Sequence, residues 1–168
     1  MMPNTNQKSD VRPRTTLNYA RQYHEAAEEL FHNKPHLFWV LYNLYFHVTE
    51  LLLKAYLKAH NRDPGRRHEI GKLYNECRSL GLTIGSDDQF NLENVVNLLE
   101  SGNADAAFRY SSLESGSLPE VSWTREVVGQ LMQVVAAFVE SNTTPSSGQL
   151  ARMTFIFGKP YQCDDTTS

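Results

Sequence analysis

The hydrophobic pattern is densest in the stretch Phe38 to Lys72. From Trp39 to Asn61 there is neither proline nor glycine, and apolar residues cover most of the helical wheel. A helix apolar nearly all round is a central, buried one. Its polar exceptions fall in register. Asn43, His47, Glu50, Lys54, Lys58 and Asn61 recur at steps of four, three, four, four and three. That spacing sets them on one narrow stripe. Trp39, Phe46, Leu53 and Leu57 border the stripe on one side.

The same periodicity predicts four further helices. The first runs from about Leu17 to Asn33, with Ala20, Tyr23, Ala27, Leu30 and Phe31 on its apolar face. Pro35 separates it from the central helix. Asp63-Pro64-Gly65 forms a turn. A third helix is expected from near Arg67, with Ile70, Leu73, Tyr74, Cys77 and Leu80 as its stripe and Gly81 as its stop. A fourth follows Ser86-Asp87-Asp88-Gln89, which has the capping-box spacing. Leu92, Val95, Val96 and Leu99 give its core face, and Ser101-Gly102-Asn103 its end. Phe108 to Pro119 reads as a long loop, a kind that is often functional in compact domains. The last helix spans about Glu120 to Ser141, with Val121, Val128, Leu131, Val135 and Phe138 inward. The expectation is an all-α, up-and-down bundle of about five helices over residues 16–141, with mostly antiparallel neighbours. Flexible tails are expected at 1–15 and 142–168, the second with a short β-like segment, Met153 to Phe157.

Composition refines this picture. At 168 residues, with 40% hydrophobic and 21% charged content, one soluble globular domain is expected. The net charge of −3 argues against a general nucleic-acid coat protein. The charge is uneven, however. Lys54 to Lys72 holds six Lys/Arg and two acids, hence +4, leaving −7 for the remainder. Two cysteines, Cys77 and Cys163, make no disulfide framework, and Cys77 falls at an apolar helical position. The polar N-terminus lacks the apolar core of a signal peptide, so a cytoplasmic location is expected. The central helix is long enough to span a bilayer, but Asn43, His47, Glu50 and Lys54 interrupt it. Each ionised group at mid-membrane costs about 3 kcal/mol or more. No membrane association, metal or cofactor is expected.

Three constellations could carry chemistry. In the first, His47 and Glu50 line a groove with Lys54; the alternative is a solvated face carrying a Glu50–Lys54 salt bridge. In the second, Arg62, Arg66, Arg67 and His68 precede a helix N-terminus, whose N–H groups and dipole favour anions. There the alternative is that His68 caps its own helix beside solvated arginines. The third is Arg109-Tyr110 in the long loop, an anion clamp beside a stacking ring, or else an ion pair and an end-plug for the bundle. Phosphate-binding loops, Cys-x-x-Cys, His-Glu-x-x-His and a nucleophile elbow are absent.

The order Glu50-Leu-Leu-Leu-Lys54-Ala-Tyr-Leu57, a short loop, His68-Glu-Ile-Gly-Lys-Leu73 and then Arg109-Tyr110 resembles HEPN domains, the higher eukaryotes and prokaryotes nucleotide-binding helical bundles. Glu69-Ile70 stands where Asp-Leu is usual in that family. The resemblance implies a homodimer that binds a nucleotide or RNA. It also implies a place in a prokaryotic toxin–antitoxin, defence or nucleotidyltransferase-partner system. The ligand would meet Lys54, Arg66, Arg67, His68, Arg109 and Tyr110, with Tyr110 or Trp39 stacking on the base. Ribonuclease members carry Arg, four to six residues, then His, near the last helix. Arg62-Asp63, four residues and His68 fit that pattern by spacing but not by position, and nothing from Phe108 to Ser141 supplies a histidine. The alternatives are a metal-independent endoribonuclease toxin, with His68 and Arg62 as candidate catalytic residues, and a non-catalytic dimeric interaction bundle.

Overall fold

The computed structural model describes residues 12–84, 92–104 and 120–142. The described elements are five helices: α1 Pro13–Asn33, α2 Phe38–Ala59, α3 Ile70–Ser79, α4 Leu92–Ala104 and α5 Val121–Asn142. α2 is the hub. It lies along α1 for most of its length, against α5 on another side, and against α3 and α4. Its buried set explains why: Leu41, Tyr42, Tyr45, Phe46, Val48, Leu52, Leu53, Ala55, Tyr56 and Leu57 point in several directions round the wheel. The other helices bury narrower faces, such as Ile70, Leu73 and Cys77 on α3.

The helix ends follow local chemistry. α1 starts at Pro13, four residues before the expected Leu17, because proline suits the first helical turn and the Arg12 carbonyl accepts from Thr15 and Thr16. α2 ends in a left-handed residue, Asn61 (φ 58°). There the Arg62 N–H reaches the Leu57 carbonyl at 2.9 Å and the Asn61 N–H reaches Lys58 at 3.0 Å. α3 repeats the device at Gly81 (φ 95°), with the buried Leu82 donating to Cys77. Both are the paired reverse bonds that close helices. α3 begins at Ile70 rather than near Arg67, since the turn ahead of it is occupied by other bonds. The Gly65 N–H donates to Asp63 Oδ1 (2.9 Å) and Arg67 Nε to the Pro64 carbonyl (3.0 Å). α4 runs on through Gly102, which is buried in its last turn. The capping stretch Ser86 to Gln89, the loop Phe108 to Pro119, Met153 to Phe157 and Cys163 lie outside the described residues.

A polar cluster ties α1 to α5. Arg125 forks onto Glu28 through Nε (2.9 and 3.0 Å) and Nη2 (2.6 Å). Its guanidinium also lies over the Phe31 ring, 4.8 Å from the centroid. Burial alone would raise the Glu28 pKa, but the Arg125 hydrogen bonds and charge outweigh it and hold the carboxyl below its usual range. His24 sits beside the pair with its imidazole pKa lowered, chiefly by burial, against the attraction of Glu28. Both shifts have one sign. His24 contributes stability above its unfolded pKa of about 6.5 that is lost as pH falls through its folded value; Glu28 behaves likewise below about 4.5. The melting temperature should therefore fall on acidification. In His24→Gln the fall between pH 7 and 5 should be smaller, and in Arg125→Met the fall below pH 4.5 should be smaller. Calorimetric scans across pH measure both; unchanged pH profiles would contradict the assignment.

Candidate functional site

The site begins with a carboxylate in the wrong solvent. Glu50 has a relative exposure of 6% and is the one charged side chain among the buried described residues. A carboxylate removed from water needs partners. One turn along α2, Lys54 Nζ donates to Glu50 Oε1 at 2.6 Å. From the turn ahead of α3, His68 Nδ1 meets the same oxygen at 2.9 Å. A carboxylate oxygen only accepts, so Nδ1 carries the proton in this contact, and in the neutral ring Nε2 is the acceptor. The His68 side chain is 73% exposed while its anchor is 8% exposed. The ring thus stands at the surface, fixed from below.

The stripe on α2 is therefore no solvated face. Its salt bridge exists, but it is largely buried, with Lys54 only 13% exposed. His47 is half-buried and packs on Tyr23 of α1, ring centroids 5.4 Å apart. Lys58 donates to Thr16 Oγ1 of α1 at 3.0 Å. Nor does His68 cap its own helix: the residue ahead of α3 is Glu69, whose own side chain makes no capping bond. A carboxylate from α4 does the work instead. Glu100 Oε1 accepts from the Gly71 N–H at 3.2 Å. A Cβ at Gly71 would lie 2.3 Å from Glu100 Oε2, so the missing side chain gives that carboxylate its place. The anion at this helix N-terminus is thus the protein's own.

The basic turn divides into held and open cations. Arg67 is held, by the Pro64 carbonyl and by Glu76 Oε2 at 2.9 Å. Lys72 pairs with Glu69 at the surface (3.0 Å). Arg62 and Arg66 are exposed and pair with no acid among the described residues. The structure thus brings Glu50, Lys54 and His68 together, with Arg62 and Arg66 on the same turn. Arg109 and Tyr110 lie outside the described residues. Trp39, at the far end of α2, is about 22 Å from Lys54 along the axis, too far for one base-stacking site with it.

Three other features narrow the chemistry. The Cys77 thiol is buried and donates to the Leu53 carbonyl, and burial pushes its pKa up to about 12, so it is an inert core group. No three His, Cys, Asp or Glu among the described residues are placed to hold a metal ion. No described helix is long and apolar enough to cross a membrane. Glu100, Glu76 and the Glu28–Arg125 fork were invisible in sequence, because each pairs with a residue on another element and no short motif links them.

Four described helices round the apolar hub α2, with a carboxylate-anchored histidine at one mouth, define an all-α bundle with a surface polar site. The chain belongs to the HEPN domain family, whose profile matches residues 14–143. Membership makes it a nucleotide- or RNA-related module in general terms. No curated protein and no solved structure matches the chain significantly.

The burial gradient sets the expected costs. Glu50→Ala leaves Lys54 without its counter-charge and should cost about 3–5 kcal/mol. The double change Glu50→Leu with Lys54→Met should recover most of that. His68→Ala, at the exposed end, should cost about 1 kcal/mol or less. Urea unfolding of the three variants gives the comparison. Equal losses for Glu50→Ala and His68→Ala would contradict the gradient.

Proposed function

We propose that this HEPN domain binds a nucleotide or RNA at the mouth between α2 and the turn ahead of α3. The observation that supports it most is His68, exposed but anchored through Nδ1 on the buried Glu50. Anchoring removes the entropy cost of ordering the ring when a ligand arrives. Arg66 and Arg62 supply the open cations for phosphate, and Nε2 of His68 meets a donor on the ligand. Lys54 and Arg67 act from beneath, Lys54 by balancing Glu50 and Arg67 by bracing the turn to α3. Arg109 and Tyr110 remain assigned to this site on the sequence resemblance alone. Family membership supports a homodimer in a toxin–antitoxin, defence or nucleotidyltransferase-partner system of a prokaryote.

One observation favours a second reading, a metal-independent endoribonuclease. An imidazole with Nδ1 on a carboxylate and Nε2 open is set up as a general base. In that role Nε2 takes the proton of a ribose 2′-hydroxyl, and Arg62 or Arg66 balances the charge building on phosphorus. Against it stands α5, where Arg125 is locked on Glu28 and no histidine follows. Binding therefore ranks ahead of cleavage.

Purified protein incubated with mixed RNA in EDTA separates the two. Under the binding reading RNA stays intact, AMP or ATP raises the melting temperature, and Arg66→Ala abolishes the rise. Cleavage lost in His68→Ala would establish the enzyme instead. Intact RNA with no thermal shift by either nucleotide would contradict both.

A further inference from the structure

All the histidines fall among the described residues, and their surroundings decide what each imidazole can do. His24 and His60 have Nε2 enclosed without a partner, and His60 is also flanked by the Tyr56 and Phe138 rings at 4.7 and 4.6 Å. His47 packs on Tyr23 and Phe46. His32 is exposed, but its Nε2 is turned toward Glu28 at 4.0 Å, a carboxylate already gripped by Arg125. His36 is exposed and bonds to no described acid. His68 alone joins an open ring to a carboxylate on Nδ1. In the neutral ring that bond holds the proton on Nδ1 and leaves the Nε2 lone pair outward, with no partner among the described residues. The charges around it are mostly spent. Arg67 pairs with Glu76, Lys72 with Glu69 and Lys54 with Glu50. Arg62 and Arg66 stay open, and the Asp63 carboxylate between them accepts from the Gly65 N–H. Counting Asp63, that leaves two cations to one acid, a balance of +1. Arg66 is two positions before His68, so their Cα atoms are no more than about 7 Å apart.

A nitrogen nucleophile held in one tautomer beside two guanidiniums is complementary to a phosphoryl group in transfer. We infer that His68 Nε2 is a phosphoryl acceptor, and that its donor is a phosphoramidate. The donor class follows from what the mouth lacks. Glu50 and Asp63 both act as hydrogen-bond acceptors, so neither supplies a proton to a departing oxygen. The sequence has no phosphate-binding loop to grip a nucleoside triphosphate. A phosphoramidate carries its leaving nitrogen already protonated and needs no general acid. The Nε2 lone pair forms the new N–P bond, the donor's P–N bond breaks, and ammonia departs with that electron pair. The ring takes on the positive charge. Its Nδ1–H stays on Glu50, which balances that charge as a positioning residue, while Arg62 and Arg66 take the phosphoryl oxygens. This deepens the proposed function and rests on it for the two arginines. The modification occupies the cations that a ligand's phosphate would use, so phosphorylation and ligand binding exclude each other.

The test incubates the full chain with potassium phosphoramidate in EDTA, then follows each histidine by peptide mass spectrometry and phosphorus NMR. His68 should be labelled about tenfold or more faster than His32 and His36, the exposed references in the same molecule, and at Nε2. Arg66→Ala should slow His68 about tenfold, the loss of one charge-assisted bond, and leave His36 unchanged. Glu50→Leu with Lys54→Met releases Nδ1, so the rate at His68 should fall and the Nδ1-phosphoryl isomer should appear. A merely structural role for Glu50 would leave the isomer as it was. Labelling of His68 no faster than of His36, or attachment at Nδ1 in the unaltered protein, overturns the inference. An AMP thermal shift on the same protein separates it from the reading it rests on. Preferential labelling without an AMP shift keeps the acceptor and removes the nucleotide. An AMP shift without preferential labelling keeps the ligand site and removes the acceptor. An AMP shift that survives phosphorylation of His68 overturns the mutual exclusion.

Discussion

One carboxylate sets the terms for the mouth of this bundle. Glu50 sits in a helix that is apolar on nearly every side, and it is almost wholly removed from water. Left alone there it would cost several kcal/mol. Its two partners lie within 2.9 Å, and both reach the same oxygen. Lys54 comes from the same helix, and His68 from the chain's return after the Pro-Gly turn. The second contact does more than neutralise. It fixes where the turn sits against α2, and so where Arg62 and Arg66 emerge.

The protein meets its other polar demands in the same way, with its own acids placed across elements. Glu100 reaches from α4 to the first turn of α3, Glu76 braces Arg67, and Glu28 takes Arg125 between α1 and α5. These pairings sort the basic stretch. Six cations occur between Lys54 and Lys72, yet Lys54, Arg67 and Lys72 already face an acid within 3.0 Å. What faces outward unpaired with any described acid is Arg62 and Arg66, since the Asp63 carboxylate between them accepts from the Gly65 N–H. Local charge density overstates the anion-binding capacity of such a stretch. The pairings show which part of it is open to a ligand.

The fold was largely legible because it depends on periodicity. The all-round apolar pattern of Trp39 to Asn61 identified the hub, and the stripe Ile70, Leu73, Cys77 identified α3. Boundaries were less so. Pro13 was read as tail although proline suits a first turn, and Arg67 was read as helix although its side chain is spent on the Pro64 carbonyl. The stripe of His47, Glu50, Lys54 and Lys58 was legible as a unit, but its environment was not. Whether a polar stripe faces water or another helix depends on what lies opposite, here Thr16 and Tyr23, some 24 to 42 residues away in sequence. The helix N-terminus of α3 read as a place for a ligand's anion, but a carboxylate of the protein already stands at its first turn. Its anion is Glu100, which pairs across 29 residues with no local signature.

The functional account comes down to whether Glu50 holds the proton of His68 on Nδ1. Heteronuclear NMR of the imidazole nitrogens, at a pH where His68 is neutral, reports the tautomer directly. The account predicts the Nδ1–H form for His68, reverting to the ordinary Nε2–H form in Glu50→Leu with Lys54→Met, which leaves Nδ1 no acceptor. An Nε2–H tautomer in the unaltered protein, or one indifferent to the change at Glu50, would contradict it.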